Sequence, residues 1–146
     1  MNSLLLLLLA LTTTPEPSAP VPAVISQANT SIGSSFTEEQ LDRYVAAVSA
    51  IEKRRGDILR RAKNTDYWTA TVQLANSSNR DICSLPSHQQ PDEIRNLCRE
   101  LLEFSEQEIR RHGFTNREFN QITLAQQQDR KLQARIQQRL IRRMIP

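Results

Sequence analysis

Glycine is scarce, with three residues in 146. That leaves too few positions for the tight two-residue turns of a hairpin-rich β fold. Aromatic residues make up 5% of the chain and hydrophobic residues 38%, so a core has to come mainly from Leu, Ile, Val and Ala on helix faces. Two cysteines, Cys83 and Cys98, and two histidines, His88 and His112, are the only soft metal ligands. Their spacing fits no compact zinc knuckle or finger. There is no phosphate loop, dinucleotide fingerprint, nucleophile elbow or HExxH run. Carboxylates are abundant, but they sit as ordinary exposed helix faces do, and none stands out as a general acid or base. An enzyme is therefore not expected, and no catalytic residue, cofactor or metal is assigned.

Long apolar runs are also missing, apart from one. Leu4 to Leu11 is eight residues, too short for a bilayer span of about 20 but the size of a secretory h-region. No Lys or Arg precedes it, and the best small-residue cleavage pattern, Ser26-Gln27-Ala28, lies well downstream. Pro15, Pro17, Pro20 and Pro22 keep the intervening chain extended. Residues 1–28 thus read as a signal peptide with a Pro-rich segment, 29–35 as a flexible lead-in, and 36–146 as a single helical domain. Export to the periplasm or another envelope compartment is the expectation, with no transmembrane segment in the mature chain. The formal net charge is +3, and Glu16 is the only charged side chain before Asn29. This mild excess does not call for nucleic acid, and no interleaved aromatic pattern suits single strands.

From Phe36 onward the chain is written in helices. Thr37 and Gln40 form a capping box, with Phe36 and Leu41 as its hydrophobic staple. Leu41, Tyr44, Val45, Val48, Ile51, Ile58, Leu59 and Ala62 then fall on one stripe, predicting a helix over about 38–62. Gly56 inside it marks a bend or a close helix contact. Asn64-Thr65-Asp66 offers a break and a new cap before Tyr67 and Trp68, which are expected partly buried on a helical continuation. Asn76-Ser77-Ser78-Asn79 is expected as a loop. A second long helix is predicted from Asp92 to Arg111, with Ile94, Leu97, Cys98, Leu101, Leu102, Ser105 and Ile109 inward. Its acids lie at the start and its arginines at the end, as the helix dipole favours.

A corner follows. Gly113 can end a helix in the left-handed conformation, and Thr115 with Glu118 forms a second capping box. Phe114 and Phe119 stand at the staple positions, and Asn120 is expected to make a structural bond closing the corner. A short helix carries Phe119, Ile122 and Thr123. Asp129 then caps a last helix with Leu132, Ile136, Leu140 and Met144 at spacings of four. The fold class is all-α: a small antiparallel bundle of about four to five helices, preceded by a disordered N-terminal signal and lead-in segment.

Gly113-Phe114-Thr115, then Phe119 to Thr123, then Asp129 and Leu132 to Ile136, resembles the signature of domain of unknown function 4168. Phe36-Thr37-Glu38-Glu39 extends the likeness to the start of the domain. That family comprises small helical domains in exported or envelope proteins of bacteria. The resemblance implies fold and compartment, and it carries no catalytic or binding residues with it.

Four features remain as candidates. Cys83 and Cys98, 15 positions apart, form a natural disulfide in an oxidising compartment. His112 reads as a cation beside helix-end carbonyls, and a Cys98–His112 nucleophilic pair would need an exposed thiol. Lys53, Arg54, Arg55, Arg60, Arg61 and Lys63 on the first helix can pair with Glu100, Glu103, Glu106 and Glu108 if the long helices are neighbours. Arg135, Arg139, Arg142 and Arg143 on the last helix offer a surface for anionic lipid, polysaccharide or nucleic acid. Taken together, the sequence predicts a non-catalytic exported domain with a protein partner, the alternative being an anionic-surface module built on those four arginines, and an enzyme the third choice.

Overall fold

The computed structural model describes residues 36–145. The export signal, Pro-rich segment and lead-in expected over 1–35 lie outside the described residues. Five α-helices follow in order: α1 (Glu38–Lys63), α2 (Trp68–Ser77), α3 (Asp92–Arg111), α4 (Asn116–Gln128) and α5 (Arg130–Met144). Two short 3-10 turns, Ile82–Ser84 and Ser87–Gln89, lie between α2 and α3. There is no strand among the described residues, and none of their helices is long and apolar enough to cross a membrane.

Both predicted capping boxes are made. Thr37 Oγ1 accepts the Gln40 N–H at 3.1 Å, and Gln40 Oε1 accepts the Thr37 N–H at 2.9 Å. Thr115 and Glu118 repeat the exchange at 3.2 and 2.8 Å. Asp129 caps α5 as expected, accepting from Lys131 and Leu132. Two orphan amides are satisfied at each of these three helix starts, α1, α4 and α5, which is why sequence grammar placed these boundaries so closely.

The bundle is antiparallel through its two long helices. Arg43 near the start of α1 reaches His112 at the end of α3, while Arg54 further along α1 meets Glu100. By contrast, α5 pairs Glu38 with Arg135 and Arg139, and Asp42 with Arg139. These numbers rise together, so α5 runs beside α1 in the same direction. One buried cluster unites Leu41, Tyr44, Val45, Val48 and Ile51 of α1 with Ile109, Phe114, Phe119, Ile122, Leu132 and Ile136. A smaller one holds Ile58, Ala62, Ile94 and Leu97, with Trp68 and Cys98 packed against it.

Several expectations need correcting. Met144 is 80% exposed. A four-residue spacing advances about 40° beyond a full turn at each step, so the series Leu132, Ile136, Leu140, Met144 rotates off the core by its last member. Leu102 is 40% exposed, at the edge of the α3 apolar face. Tyr67 is 53% exposed, and only Trp68 of that pair is half-buried. Asp66 caps nothing: α2 starts from Tyr67 without a side-chain bond. The helix also continues through Ser77, and it is Asn79, at φ 50°, that ends it. Asn79 and Arg80 donate to Asn76 and Ala75 at 3.1 and 3.0 Å, the paired bonds of a Schellman turn. Gly56 makes no close helix contact, since a Cβ there would meet nothing within 4 Å.

Candidate functional site

The corner after α3 is built as its residues suggest. His112, Gly113 and Phe114 donate back to Glu108, Arg110 and Ile109 at 3.0, 2.9 and 3.1 Å. Gly113 sits at φ +77°, and an added Cβ would lie 2.6 Å from Arg43 Nη1. The left-handed backbone is what favours glycine there, and a Cβ would in addition push the Arg43 guanidinium aside. Arg43 uses the opening to donate to the His112 carbonyl at 3.3 Å and to stack 5.1 Å from the Phe114 ring centre. The Phe114 and Phe119 rings meet edge to face at 6.2 Å, and Phe119 lies 4.7 Å from Tyr44.

Beneath the corner runs a buried polar chain that the sequence did not disclose. Gln126 Nε2 donates to Tyr44 Oη at 3.0 Å, Tyr44 Oη lies 2.9 Å from Thr123 Oγ1, and Thr123 Oγ1 donates to the Phe119 carbonyl at 3.1 Å. The only arrangement that gives each oxygen one donor directs every proton toward Phe119. Burial pushes the Tyr44 phenol up to about 12 from an ordinary 10.0, against the lowering effect of both hydrogen bonds. The phenol therefore remains a neutral donor at any physiological pH. Asn120, expected to close the corner, is half-buried and takes no part in this chain. Tyr44 fills that role from 79 positions before its partner Thr123, where only a three-dimensional fold could have pointed to it.

Cys83 and Cys98 are at bonding distance, with Cα atoms 5.5 Å apart, and neither thiol is free. This removes Cys98 as a nucleophile and both sulfurs as zinc ligands. No metal-holding group of His, Cys, Asp and Glu occurs among the described residues. His88 is exposed, and His112 instead faces Glu108 at 3.5 Å. Gln90, only 8% exposed, was not singled out by sequence. Its amide donates to the Ile82, Cys83 and Leu85 carbonyls at 3.0, 3.1 and 2.9 Å and so holds the segment that carries Cys83.

Beside the disulfide lies an open recess of about 360 Å³ between α1, α3 and the 3-10 segment. Ile51, Leu101 and Leu102 give it an apolar wall, and Arg55, Arg95 and Arg99 line its margin with Glu52 and Asp81. Arg55 is bound to Glu52, and Arg95 to Asp92. Arg99 donates to the neutral Asn96 side chain, and no carboxylate among the described residues pairs with it. Sequence missed this recess because Leu102 had been counted into the core. A second recess of about 300 Å³, lined by Leu59, Trp68, Val72 and Ile82 among others, lies across the same disulfide.

The charge pairing across the long helices is realised at one residue. Glu100 accepts from Arg54 at 2.6 Å and from Arg61 at 2.7 Å. Glu106 and Glu108 turn instead to Arg110 and Arg111 on their own helix. The Arg61 hydrogen bond, followed by the charges of Arg61 and Arg54, holds the Glu100 carboxyl below its ordinary 4.5 despite some desolvation. Glu118 is lowered by the Thr115 amide first and its hydroxyl second. For both groups the folded state binds fewer protons than the unfolded one. Their contribution is complete above about pH 4.5 and is lost as pH falls through the depressed folded values. Urea midpoints at pH 7 and pH 3 should therefore differ less in Glu100→Gln than in the parent; an unchanged difference would remove Glu100 from the acid response.

The four arginines expected to share an anionic-surface role are divided by the fold. Arg135 and Arg139 are committed to Glu38 and Asp42, and the Arg139 side chain is only 10% exposed. Arg142 and Arg143 are exposed. Among the described residues three groups have displaced acidities, Tyr44, Glu100 and Glu118, and in each the fold's own contacts supply the cause. A family model described as a domain of unknown function, DUF4168, matches residues 37–136. Searches of curated proteins and of solved structures return no match.

Proposed function

This chain belongs to the DUF4168 family, and we propose that it serves as a non-catalytic domain exported to the cell envelope, where it docks a protein partner. The observation that carries this reading is the recess beside the disulfide. It combines an apolar wall, including the 40% exposed Leu102, with an arginine that no carboxylate among the described residues neutralises. An apolar patch beside an unspent guanidinium suits a segment that presents an apolar side chain next to an acidic one. The polar groups nearby are held in structural bonds: Asp81 accepts from the Ser84 amide and hydroxyl, and Gln90 spans three carbonyls. The disulfide supports export, because such bonds persist where thiols are not kept reduced.

A photo-crosslinking side chain placed at Leu102 in the native host tests this reading. One discrete adduct in the extracytoplasmic fraction is expected, diminished at least tenfold by Arg99→Glu. A protein recovered in the cytosol with two labelled thiols would remove export. Labelling at Leu102 that is indifferent to Arg99 would remove the docking site. A second reading, an anionic-surface module, is favoured by α5, which contains six bases and no acid between Arg130 and Ile145.

A further inference from the structure

The exposed residues of α5 differ from those that charge counting alone selects. Helical geometry puts Arg130, Ala134, Gln137, Gln138 and Ile141 on one face, at offsets of four, seven, eight and eleven from Arg130. All five are exposed. Ile141 and Met144 continue this face at i and i+3, and Ile145 follows as the extended residue that caps the helix; the three are exposed by 58%, 80% and 65%. Lys131 and Arg142 flank it and are exposed as well. The opposite side carries Leu132 and Ile136 into the core, with Arg135 and Arg139 bound to α1. So the outward face of a 15-residue helix, about 22 Å long, bears three bases, two amides and three clustered apolar side chains, with no acid. The family match ends at Ile136, leaving Ile141, Arg142, Met144 and Ile145 beyond the shared segment.

We propose that this face of α5 is an interfacial membrane anchor that binds bilayers carrying anionic headgroups. It rests on the second reading above and commits that reading to lipid. A polyanion such as nucleic acid would use the bases and leave the isoleucines and methionine in water. A bilayer surface takes both: Arg130, Lys131 and Arg142 meet headgroup phosphates, while Ile141, Met144 and Ile145 enter the boundary of the acyl region. The three apolar residues lie at one end of the face and the pair of bases at the other. The helix therefore meets the surface with its C-terminal turn deepest.

The test is co-sedimentation of the full chain with vesicles of mixed phosphatidylglycerol and phosphatidylcholine, against phosphatidylcholine alone. Any contribution from Leu4 to Leu11 is common to every variant, so differences between variants report on α5. Each basic residue near an anionic surface is worth about fivefold, so R130Q/K131Q/R142Q should weaken binding to the anionic vesicles by about 100-fold. I141Q/M144Q/I145Q should weaken it by about tenfold or more. Raising salt from about 0.05 to about 0.5 M should reproduce the effect of the charge variant. All six side chains are exposed, so unchanged circular dichroism is expected of both variants. Binding to duplex DNA with no loss in the apolar variant would overturn the lipid assignment and keep the anionic-surface reading. No difference between the two vesicle types, together with no binding to duplex DNA, would overturn both. A doubled sedimentation mass with no vesicle binding would instead make this face a contact between two copies and overturn the anchor.

Discussion

Replacing Phe119 with Ala should lower the unfolding free energy by about 3–5 kcal/mol, the range for a fully buried Phe. For a domain of this size that is a fall of more than about 10 °C in melting temperature. Phe119 is 0% exposed and supports three structures together: the edge-to-face contact with Phe114, the packed face of Tyr44, and the carbonyl that ends the polar chain from Gln126. Truncation leaves a cavity where the corner, α1 and α4 meet, and collapse is restrained by the bonds around it. A neighbouring control separates burial from mere position in the motif. Asn120→Ala, half-buried and outside the chain of bonds, should stay within about 0.5 kcal/mol. The Tyr44 phenol provides an independent readout. Its native value is raised to about 12 from 10.0, so its contribution is complete below pH 10 and disappears as pH rises from there toward 12. With Phe119 removed, water reaches the ring and the phenol should titrate nearer 10, followed by its ultraviolet absorbance. An unchanged melting temperature would show that the corner does not lie over the core.

The readable parts of this sequence are those whose physics is local. Thr37 with Gln40, Thr115 with Glu118, and Asp129 each act within three residues, so their spacing alone disclosed the bonds. Gly113 was equally legible as a stop, though the Arg43 guanidinium that occupies the space above it comes from a helix 70 positions earlier. Tyr44 could be placed on a buried stripe by periodicity, whereas its partners Thr123 and Gln126 could not. Long-range charge was half readable. Acidic α3 opposite basic α1 suggested Glu100, but nothing in either helix said that Glu106 and Glu108 would settle for their own arginines. The arginines of α5 misled for the same reason. Whether Arg135 and Arg139 face water depends on α5 running alongside α1, and direction of packing is not written in a helical wheel. The recess beside the disulfide was hidden by Leu102, which shares its spacing with core residues but stands at the edge of the face.

Converting Cys83 and Cys98 to Ser should cost about 3 kcal/mol, the chain-entropy value for a loop closed across 15 residues. The segment 80–91, which carries Cys83, gives little in return by itself. Leu85 is its one buried apolar side chain, Ile82 is half-buried, and Cys83 is exposed to solvent and reductant. Gln90 provides the remaining anchor through its three carbonyls. Two kinds of loss can then be separated. If the bridge acts on the unfolded chain, the double variant loses stability globally while amides of 80–91 remain protected in the folded state. If it acts by pinning the segment, those amides exchange first and the bundle melts nearly unchanged. The buried Gln90 network favours the global outcome, because it survives removal of the sulfur bond. Adding Gln90→Ala to the double variant should then expose the segment without a matching further fall in the melting of α1 and α3. Equal melting temperatures for the parent, the reduced parent and the double variant would mean that the bridge contributes nothing to the fold. The chemical argument for an oxidising compartment would then rest on Cys83 and Cys98 being bonded in the native host, which differential alkylation before and after reduction reads directly.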